Sequence, residues 1–357
     1  MPETIRVVVI GVGQMGGSHA RAYRHIPGFE LAGLVDTNLE RCSQVSAGLG
    51  GVACFKSLSE ALATVKPQAV AVCTYPDTHK KFIMQSLQAD VHVFTEKPLA
   101  DTVKDAEKII VAARQKRKKV VVGYILRHNP AWIRFIGLAR KLGKPLIMRM
   151  NLNQQSSGQA WQIHKNLMRT MSPIVDCGVH YVDVMCQITR SVPVQVQAIG
   201  ARLSKEIPAA MYNYGNLQVR FADGSIGWYE AGWGPMISET AHFVKDVIGP
   251  GGSVSIVDPG TVKPAASGDI SAHTRTNRLL VHHSALDRHG QYLQADEVID
   301  TSDEPDHQEL CNREQQYFLQ TIQQDLDLSD HWQDAVNSLR IVLAADRSVQ
   351  TGKVIRL

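Results

Sequence analysis

In the first third of the chain the apolar residues fall in short continuous runs. They occupy Ile5-Arg6-Val7-Val8-Val9-Ile10 and then 31–35, 69–74, 91–94 and 120–124. Between these runs apolar positions recur at helical spacing over about 14–26, 38–49, 57–65, 77–89 and 101–116, with one more short strand at 52–55. A strand that is apolar throughout is buried on both faces. Strands of that kind alternating with helices form a parallel sheet covered on both sides. Past residue 124 the pattern changes. It predicts a helix over 130–142, a strand over 145–151, a polar loop over 153–170 and a helix over 172–188. From 193 to 300 it predicts mostly strands, with turn signals such as Ala222-Asp223-Gly224-Ser225 between Leu217–Phe221 and Ile226–Ala231. Helices over 307–324 and 331–350 close the chain. The expected fold is α/β followed by α+β: an N-terminal doubly wound domain, 1–124, then a second domain, 125–357, on a large, mostly antiparallel sheet. Val219, Phe221, Ile226, Trp228 and Tyr229 put apolar groups on both faces of that sheet. Only one face can pack on the chain's own helices, so a homodimer or homotetramer formed through this sheet is expected.

Composition adds exclusions. A chain of 357 residues, 44% hydrophobic and 20% charged, suits two globular cores. The net charge of +4 comes without a long basic stripe, so no nucleic-acid partner is expected. The one basic run, Arg114 to Lys119, falls at a predicted helix end, where it complements the helix dipole. No run reaches the length of a membrane span, so no membrane partner is expected. No signal-peptide pattern precedes the first strand. Cys42, Cys54, Cys73, Cys177, Cys186 and Cys311 are scattered without a CxxC pair. A cytoplasmic protein with reduced thiols is the expectation.

Ligands of a doubly wound sheet bind beyond the carboxyl ends of its strands, which singles out 11–16, 74–79 and 95–98. The first of these reads Gly11-Val12-Gly13-Gln14-Met15-Gly16 and directly follows a strand, and Asp36 ends the next strand. This order is the dinucleotide-binding fingerprint. Gly11 permits the tight turn, Gly13 the close approach of a pyrophosphate, and Gly16 close helix–sheet packing, with the helix N-terminus at Gln14 and Met15 offering N–H groups to the phosphates. The alternative is a tight turn that binds nothing. A carboxylate at Asp36 accepts hydrogen bonds from an adenosine ribose and repels a 2′-phosphate, which favours NAD over NADP. Arg41, beyond Thr37, would soften that repulsion. Asp36 can also cap the next helix.

Glu96-Lys97-Pro98 sits just past a buried strand. Lys97 there could hold a hydroxyl or carbonyl oxygen near the nicotinamide; the alternative is a salt-bridged surface turn. Asp176 and His180 are four apart on the predicted helix 172–188, so they share a face, and a carboxylate beside an imidazole makes a general acid/base. The alternatives are a metal pair, for which no third ligand is apparent, or a capping aspartate with a core histidine. No metal is expected.

The residues Gly11–Gly16, Asp36, Thr74-Tyr75-Pro76-Asp77-Thr78-His79, Glu96-Lys97-Pro98, Gly123 through Arg127 with Pro130, and Asp176-x-Gly178-x-His180-Tyr181-x-Asp183 together resemble the Gfo/Idh/MocA oxidoreductases, over essentially the whole chain. The resemblance implies a Rossmann domain followed by an open-faced sheet domain, and NAD- or NADP-linked oxidation or reduction of a sugar, cyclitol or related polyol. It implies that Lys97 contacts the reacting oxygen and the cofactor, that His180 exchanges the proton, and that Asp176 orients His180 or a substrate hydroxyl. It also implies a cis Lys97–Pro98 bond. Thr74, Tyr75, Pro76, His79 and Glu96 would belong to the cofactor site. Arg127, His128, Asn153, Trp161 and His164 would line the substrate site, with a solvated loop as the alternative for Trp161 and His164. Where many relatives carry a glycine run, this chain has Met171-Ser172-Pro173, so the pocket's shape differs. Three functions compete: a dehydrogenase or reductase, an NAD-retaining enzyme that cleaves a glycoside through transient oxidation, and a cofactor-sensing regulator. The last is disfavoured by the presence of both Lys97 and His180.

Overall fold

The first strand, β1 (Ile5–Ile10), is buried along nearly its whole length because both of its faces carry Val or Ile. The computed structural model describes residues 4–238, 244–257, 274 and 276–357. It divides into two compact units, Met1–Ile125 with Pro305–Val336, and Leu126–Glu304 with Asn337–Leu357.

In the first unit β1 is followed by α1 (Gln14–His25), β2 (Phe29–Val35), α2 (Leu39–Ala47), β3 (Cys54–Phe55), α3 (Leu58–Val65), β4 (Ala69–Val72), α4 (Pro76–Gln88), β5 (His92–Thr95), α5 (Val103–Lys116) and β6 (Val120–Val122). Among the described residues the strands form one parallel sheet in the order β3-β2-β1-β4-β5-β6, the doubly wound order, in which the strand order reverses between β1 and β4. Helix starts follow local chemistry. Asn38, Ser57 and Thr102 accept from the N–H groups of Arg41, Glu60 and Asp105. The cap of α2 is therefore Asn38, not Asp36 as the spacing allowed.

The second unit begins with a 3-10 turn, Ile125–His128, and α6 (Pro130–Ala139), which Asn129 caps and Pro130 starts; the predicted helix to 142 ends in a further 3-10 turn. Then come β7 (Ile147–Gln155), α7 (Gly158–Leu167), α8 (Pro173–Asp176) and α9 (Gly178–Thr189). The sheet continues with β8 (Pro193–Ala201), β9 (Tyr214–Phe221), β10 (Ile226–Gly234), β11 (Lys245–Gly249), β12 (Gly252–Val257), β13 (Arg278–His283) and β14 (Glu297–Asp300). The chain ends with α10 (His307–Gln323), α11 (Ser329–Thr351) and β15 (Ile355–Arg356). Parts of the predicted strand region, at 239–243, 258–273 and 275, lie outside the described residues. Among the described residues the nine strands run β14-β13-β12-β11-β7-β10-β9-β8-β15, antiparallel except for the β7–β10 pair. One face carries Met148, Met150, Leu217, Val219, Phe221 and Tyr229, all essentially fully buried, and α8 and α9 pack there. The other face leaves Ile147, Ile199, Ile226 and Ile248 exposed. There Arg149, Gln197, Gln218, Arg220 and Trp228 line a shallow groove of about 530 Å³.

Three expectations need correction. The polar stretch 153–170 is not a loop, because β7 continues to Gln155 and α7 follows. Its polar residues occupy the end of β7 and then a half-exposed helix, and that composition imitates a loop. The helix expected over 172–188 is two helices with a step at Cys177, where the N–H of His180 reaches back only to Cys177 O at 3.2 Å. The single cut at 124/125 also does not hold, because residues 305–336 belong with the first unit. There α10 packs on α1 and places Phe318 against Phe29 and Phe94, each 6.1 Å away between ring centroids.

Candidate active site

The glycine turn is shaped as its three positions require. Gly11 has φ +83, and a Cβ there would sit 2.6 Å from Cys73 O. A Cβ on Gly16 would come within 1.8 Å of Gly11 O, so helix and turn touch through backbone alone. Gly13 is different: a Cβ there would meet nothing within 4 Å. It caps α1, whose first turn carries no acidic residue. Open space over a bare helix N-terminus fits a pyrophosphate. Asp36 accepts from Val12 N–H at 3.0 Å through Oδ2 and from Asn38 N–H at 2.8 Å through Oδ1. Each oxygen keeps a lone pair for a ribose hydroxyl. Thr37 and Arg41 are exposed beside it. These residues fit NAD.

At the end of β4, Thr74 Oγ1 accepts from Thr78, and Tyr75, which caps α4 ahead of Pro76, is 68% exposed. An aromatic ring so exposed at the ligand edge of a sheet suits contact with a planar group. His79, by contrast, is fully buried. Its Nδ1 faces Pro98 O at 2.8 Å and its Nε2 faces Thr74 O at 3.0 Å. Burial pushes its pKa down. His79 thus ties the β4 loop to the residue after Lys97, and the expectation of direct cofactor contact is corrected. Glu96 is likewise turned inward: Oε1 meets His19 Nε2 at 2.8 Å and Oε2 accepts from Lys97 N–H at 3.2 Å. Lys97 itself is half-buried, and the Lys97–Pro98 bond is cis.

In the second unit every residue from Met171 to Thr189 is buried except Asp176 and His180. Asp176 closes α8 and His180 lies in the first turn of α9. They lie on either side of the step, so a shared face on one helix is not what relates them; partial exposure is. Ser172 caps α8 by accepting from Val175 N–H, and its hydroxyl donates to Asp346 at 2.6 Å. This gives the departure at Met171-Ser172-Pro173 a structural role. Around Asp176, the Cys177 thiol and the Trp233 indole N–H both donate to Gln154 Oε1. His164 stacks on Trp233 with ring centroids 4.4 Å apart and meets Ser156 Oγ at 3.0 Å. Burial pushes its pKa down to about 4, against the pull of Asp176.

The remaining expected substrate residues separate. Arg127 makes a two-pronged pair with buried Asp183, which also accepts from Gln187, so its fork is engaged within the fold. Burial and the Arg127 charge push His128 down to about 3. Asn153 donates to Glu230 at 2.6 Å and is level with Gly232, on the sheet face opposite Tyr229. Trp161 belongs to a core cluster with Met168, Cys177, Ile207 and Trp233. For Asn153 and Trp161 the substrate-lining expectation is corrected, because one faces the wrong side of the sheet and the other is consumed by packing. Gln154, Tyr229 and Trp233 were missed. Their signal was strand alternation, which carries Met148, Met150, Leu152 and Gln154 to one face.

A glycine turn fitted to a dinucleotide, on a sheet wound in this order, in a chain whose second unit carries a half-buried Asp and His, defines a nucleotide-dependent enzyme of two units. Comparison with known proteins narrows the class. Residues 5–124 match the family described as "Oxidoreductase family, NAD-binding Rossmann fold", and residues 138–253 match the "GFO/IDH/MocA C-terminal domain". The chain belongs to the Gfo/Idh/MocA family of NAD-binding oxidoreductases. It is similar to an inositol 2-dehydrogenase of Pseudarthrobacter chlorophenolicus, 26% identical over 260 residues, 71% of this chain and 75% of the relative. It is also similar to a UDP-N-acetylglucosamine 3-dehydrogenase of Acidithiobacillus ferrooxidans, 32% identical over 196 residues, 55% of this chain and 58% of the relative. Among solved structures, scyllo-inositol dehydrogenase from Lactobacillus casei with bound NAD(H) and scyllo-inositol shares the fold, with a TM-score of 0.77, 18% identity and 99% of each chain covered. No helix among the described residues is long and apolar enough to cross a membrane.

Proposed function

We propose that this protein is an NAD-dependent dehydrogenase that oxidises a secondary alcohol of a cyclitol, sugar or related polyol, or reduces the corresponding ketone. The observation that carries this reading is the partial exposure of Asp176 and His180 alone within a run of nineteen otherwise buried positions, 171–189. Titratable groups kept partly accessible in a buried segment are placed for chemistry, since burial would otherwise favour apolar residues there. The named relatives, inositol 2-dehydrogenases and a nucleotide-sugar 3-dehydrogenase, support the substrate class.

Bound NAD supplies the acceptor or donor of hydride. The turn Gly11–Gly16 and the α1 N-terminus hold its pyrophosphate, and Asp36 holds the adenosine ribose. Thr74, Tyr75 and Pro76 flank the nicotinamide. Lys97 donates a hydrogen bond to the reacting oxygen and stabilises the negative charge that gathers there as the carbon gives up its hydride. His180 takes the hydroxyl proton in oxidation and returns it in reduction; Asp176 orients the imidazole and favours its charged form. The protein works as a homodimer or homotetramer through the exposed face of the nine-stranded sheet. The test is a screen for NADH formation over inositols, hexoses, sugar acids and glycosides. NADH formed with a free polyol supports the reading. Glycoside cleavage without net NADH transfers it to transient oxidation, and no turnover with any of them overturns it.

A further inference from the structure

Behind the Glu96-Lys97-Pro98 segment the first unit contains a continuous chain of buried polar groups to which the reaction above gives no role. It starts on α10. Gln315 is fully buried; its Oε1 accepts from the Tyr23 hydroxyl and its Nε2 donates to His19 Nδ1 at 2.9 Å. With Nδ1 accepting, His19 carries its proton on Nε2 and donates it to Glu96 Oε1 at 2.8 Å. The other Glu96 oxygen accepts the Lys97 peptide N–H at 3.2 Å. His19 and Tyr23 lie one turn apart on α1 and are both fully buried. A buried carboxylate accepting two N–H donors in a fixed frame has little freedom to turn, and His19 can hold that frame only while Gln315 fixes its tautomer.

We propose that His19 and Gln315 are positioning residues for Lys97: they orient the Glu96 carboxylate that clamps the Lys97 peptide N–H, and so set where the lysine amine stands. The proposal rests on the reading of Lys97 as the group at the reacting oxygen. It makes α10, from the far end of the chain, part of the apparatus that aims the lysine. The neighbouring groups suit a Glu96 carboxylate that accepts from both sides. Glu314, next to Gln315 on α10, is buried with Oε1 unpartnered among the described residues, and burial together with the Glu96 charge pushes its pKa up. Burial keeps the Cys73 and Cys311 thiols protonated. His307 meets Cys311 Sγ at 3.6 Å, and burial lowers its pKa. The donors of His19, Cys311 and Glu314 also lie within 4.8 Å of one another, a spacing that would admit a metal ion. Both His19 nitrogens are already engaged, however, so a metal would have to break the chain at Gln315 or Glu96.

The test is steady-state kinetics with NAD on a substrate found by the screen, together with separate titration of NADH binding, for His19→Leu, His19→Gln, Gln315→Leu and Lys97→Met. Misplacement by an ångström can cost about a hundredfold in rate, so kcat losses of about tenfold or more are expected for His19→Leu and Gln315→Leu, with KM and NADH affinity within about threefold of wild type. His19→Gln keeps an N–H donor toward Glu96 and should recover most of kcat. Undiminished kcat in Gln315→Leu overturns the proposal, and so does an equal loss of kcat and NADH affinity. If His19→Leu does not fold, Gln315→Leu and the recovery by His19→Gln decide alone. One zinc per chain in the purified holoenzyme also overturns it. Activity surviving in Lys97→Met refutes the role of the lysine instead, which separates the two failures.

Discussion

Gly178 lies so close to Tyr229 that a Cβ on the glycine would stand 2.8 Å from the ring's Cε1. The glycine between Asp176 and His180 is therefore a packing requirement: the segment carrying both groups rests on the tyrosine face. Gly178→Ala should cost roughly 1–3 kcal/mol through overpacking and lower turnover with it. Tyr229→Phe should leave stability unchanged or raise it, because the Tyr229 hydroxyl is buried and has no hydrogen-bond partner among the described residues. Thermal melts of the two variants compare these effects directly. A more stable Gly178→Ala protein contradicts the packing argument.

Cofactor choice depends on Asp36. Wild type should bind NADH more tightly than NADPH. Asp36→Asn should narrow the gap by relieving repulsion of the 2′-phosphate while keeping an acceptor for Val12 N–H. Fluorescence titration with both nucleotides measures it. Equal affinities in wild type would instead assign Arg41 as a phosphate partner.

At the reacting oxygen, Lys97→Met and His180→Ala should each lower kcat by about 10²–10⁴-fold, the usual contribution of positioned proton transfer. Asp176→Asn should do less damage, because it keeps an oxygen to orient the ring. NADH affinity should change little in all three. A His180→Ala enzyme with normal turnover across pH would return the imidazole to a structural role.

Glu314 gives the stability a pH dependence of definite sign. Its folded pKa is raised far above its ordinary value of 4.5, so the folded state holds a proton that the unfolded chain releases. That contribution is intact below about pH 4.5 and declines as pH rises toward the folded pKa, by about 1.4 kcal/mol per pH unit. Glu314→Gln removes this slope. Its melting temperature relative to wild type should therefore rise from about pH 5 to about pH 8. A constant difference would show that Glu314 is ionised in the folded protein.

The open face of the nine-stranded sheet should bury Trp228 against a second copy. Trp228→Glu should shift the sedimenting species toward the monomer. A wild-type monomer at micromolar concentration removes this assignment.

Much of the first unit was legible because its strands are apolar without interruption and its helices begin at Asn38, Ser57 and Thr102, local signals that need no tertiary context. The glycine turn was legible for the same reason: backbone sterics act over a few residues. The second unit was harder to read. Asn153-Gln154-Gln155 reads as a loop, yet it is a strand, since pairing with β10 outweighs its polar composition. The step at Cys177 lies beside Gly178, which packs on Tyr229 far along the chain. His79 and Glu96 were assigned to the cofactor from their motifs. Their inward hydrogen bonds became visible only when Pro98 and His19 were placed beside them.

The return of α10 to the first unit affects how the protein is made. Synthesis runs from the N-terminal side, and β1 through β6 are complete long before His307 exists. Until then Phe29 and Phe94 lack Phe318, and His19 lacks Gln315. The nucleotide-binding sheet must therefore wait, with part of its core uncovered, while the whole of the second unit's sheet up to β14 is translated. A fragment cut at residue 125 would be held permanently at that stage. It should be sticky and a poor binder of dinucleotide, however complete its glycine fingerprint looks.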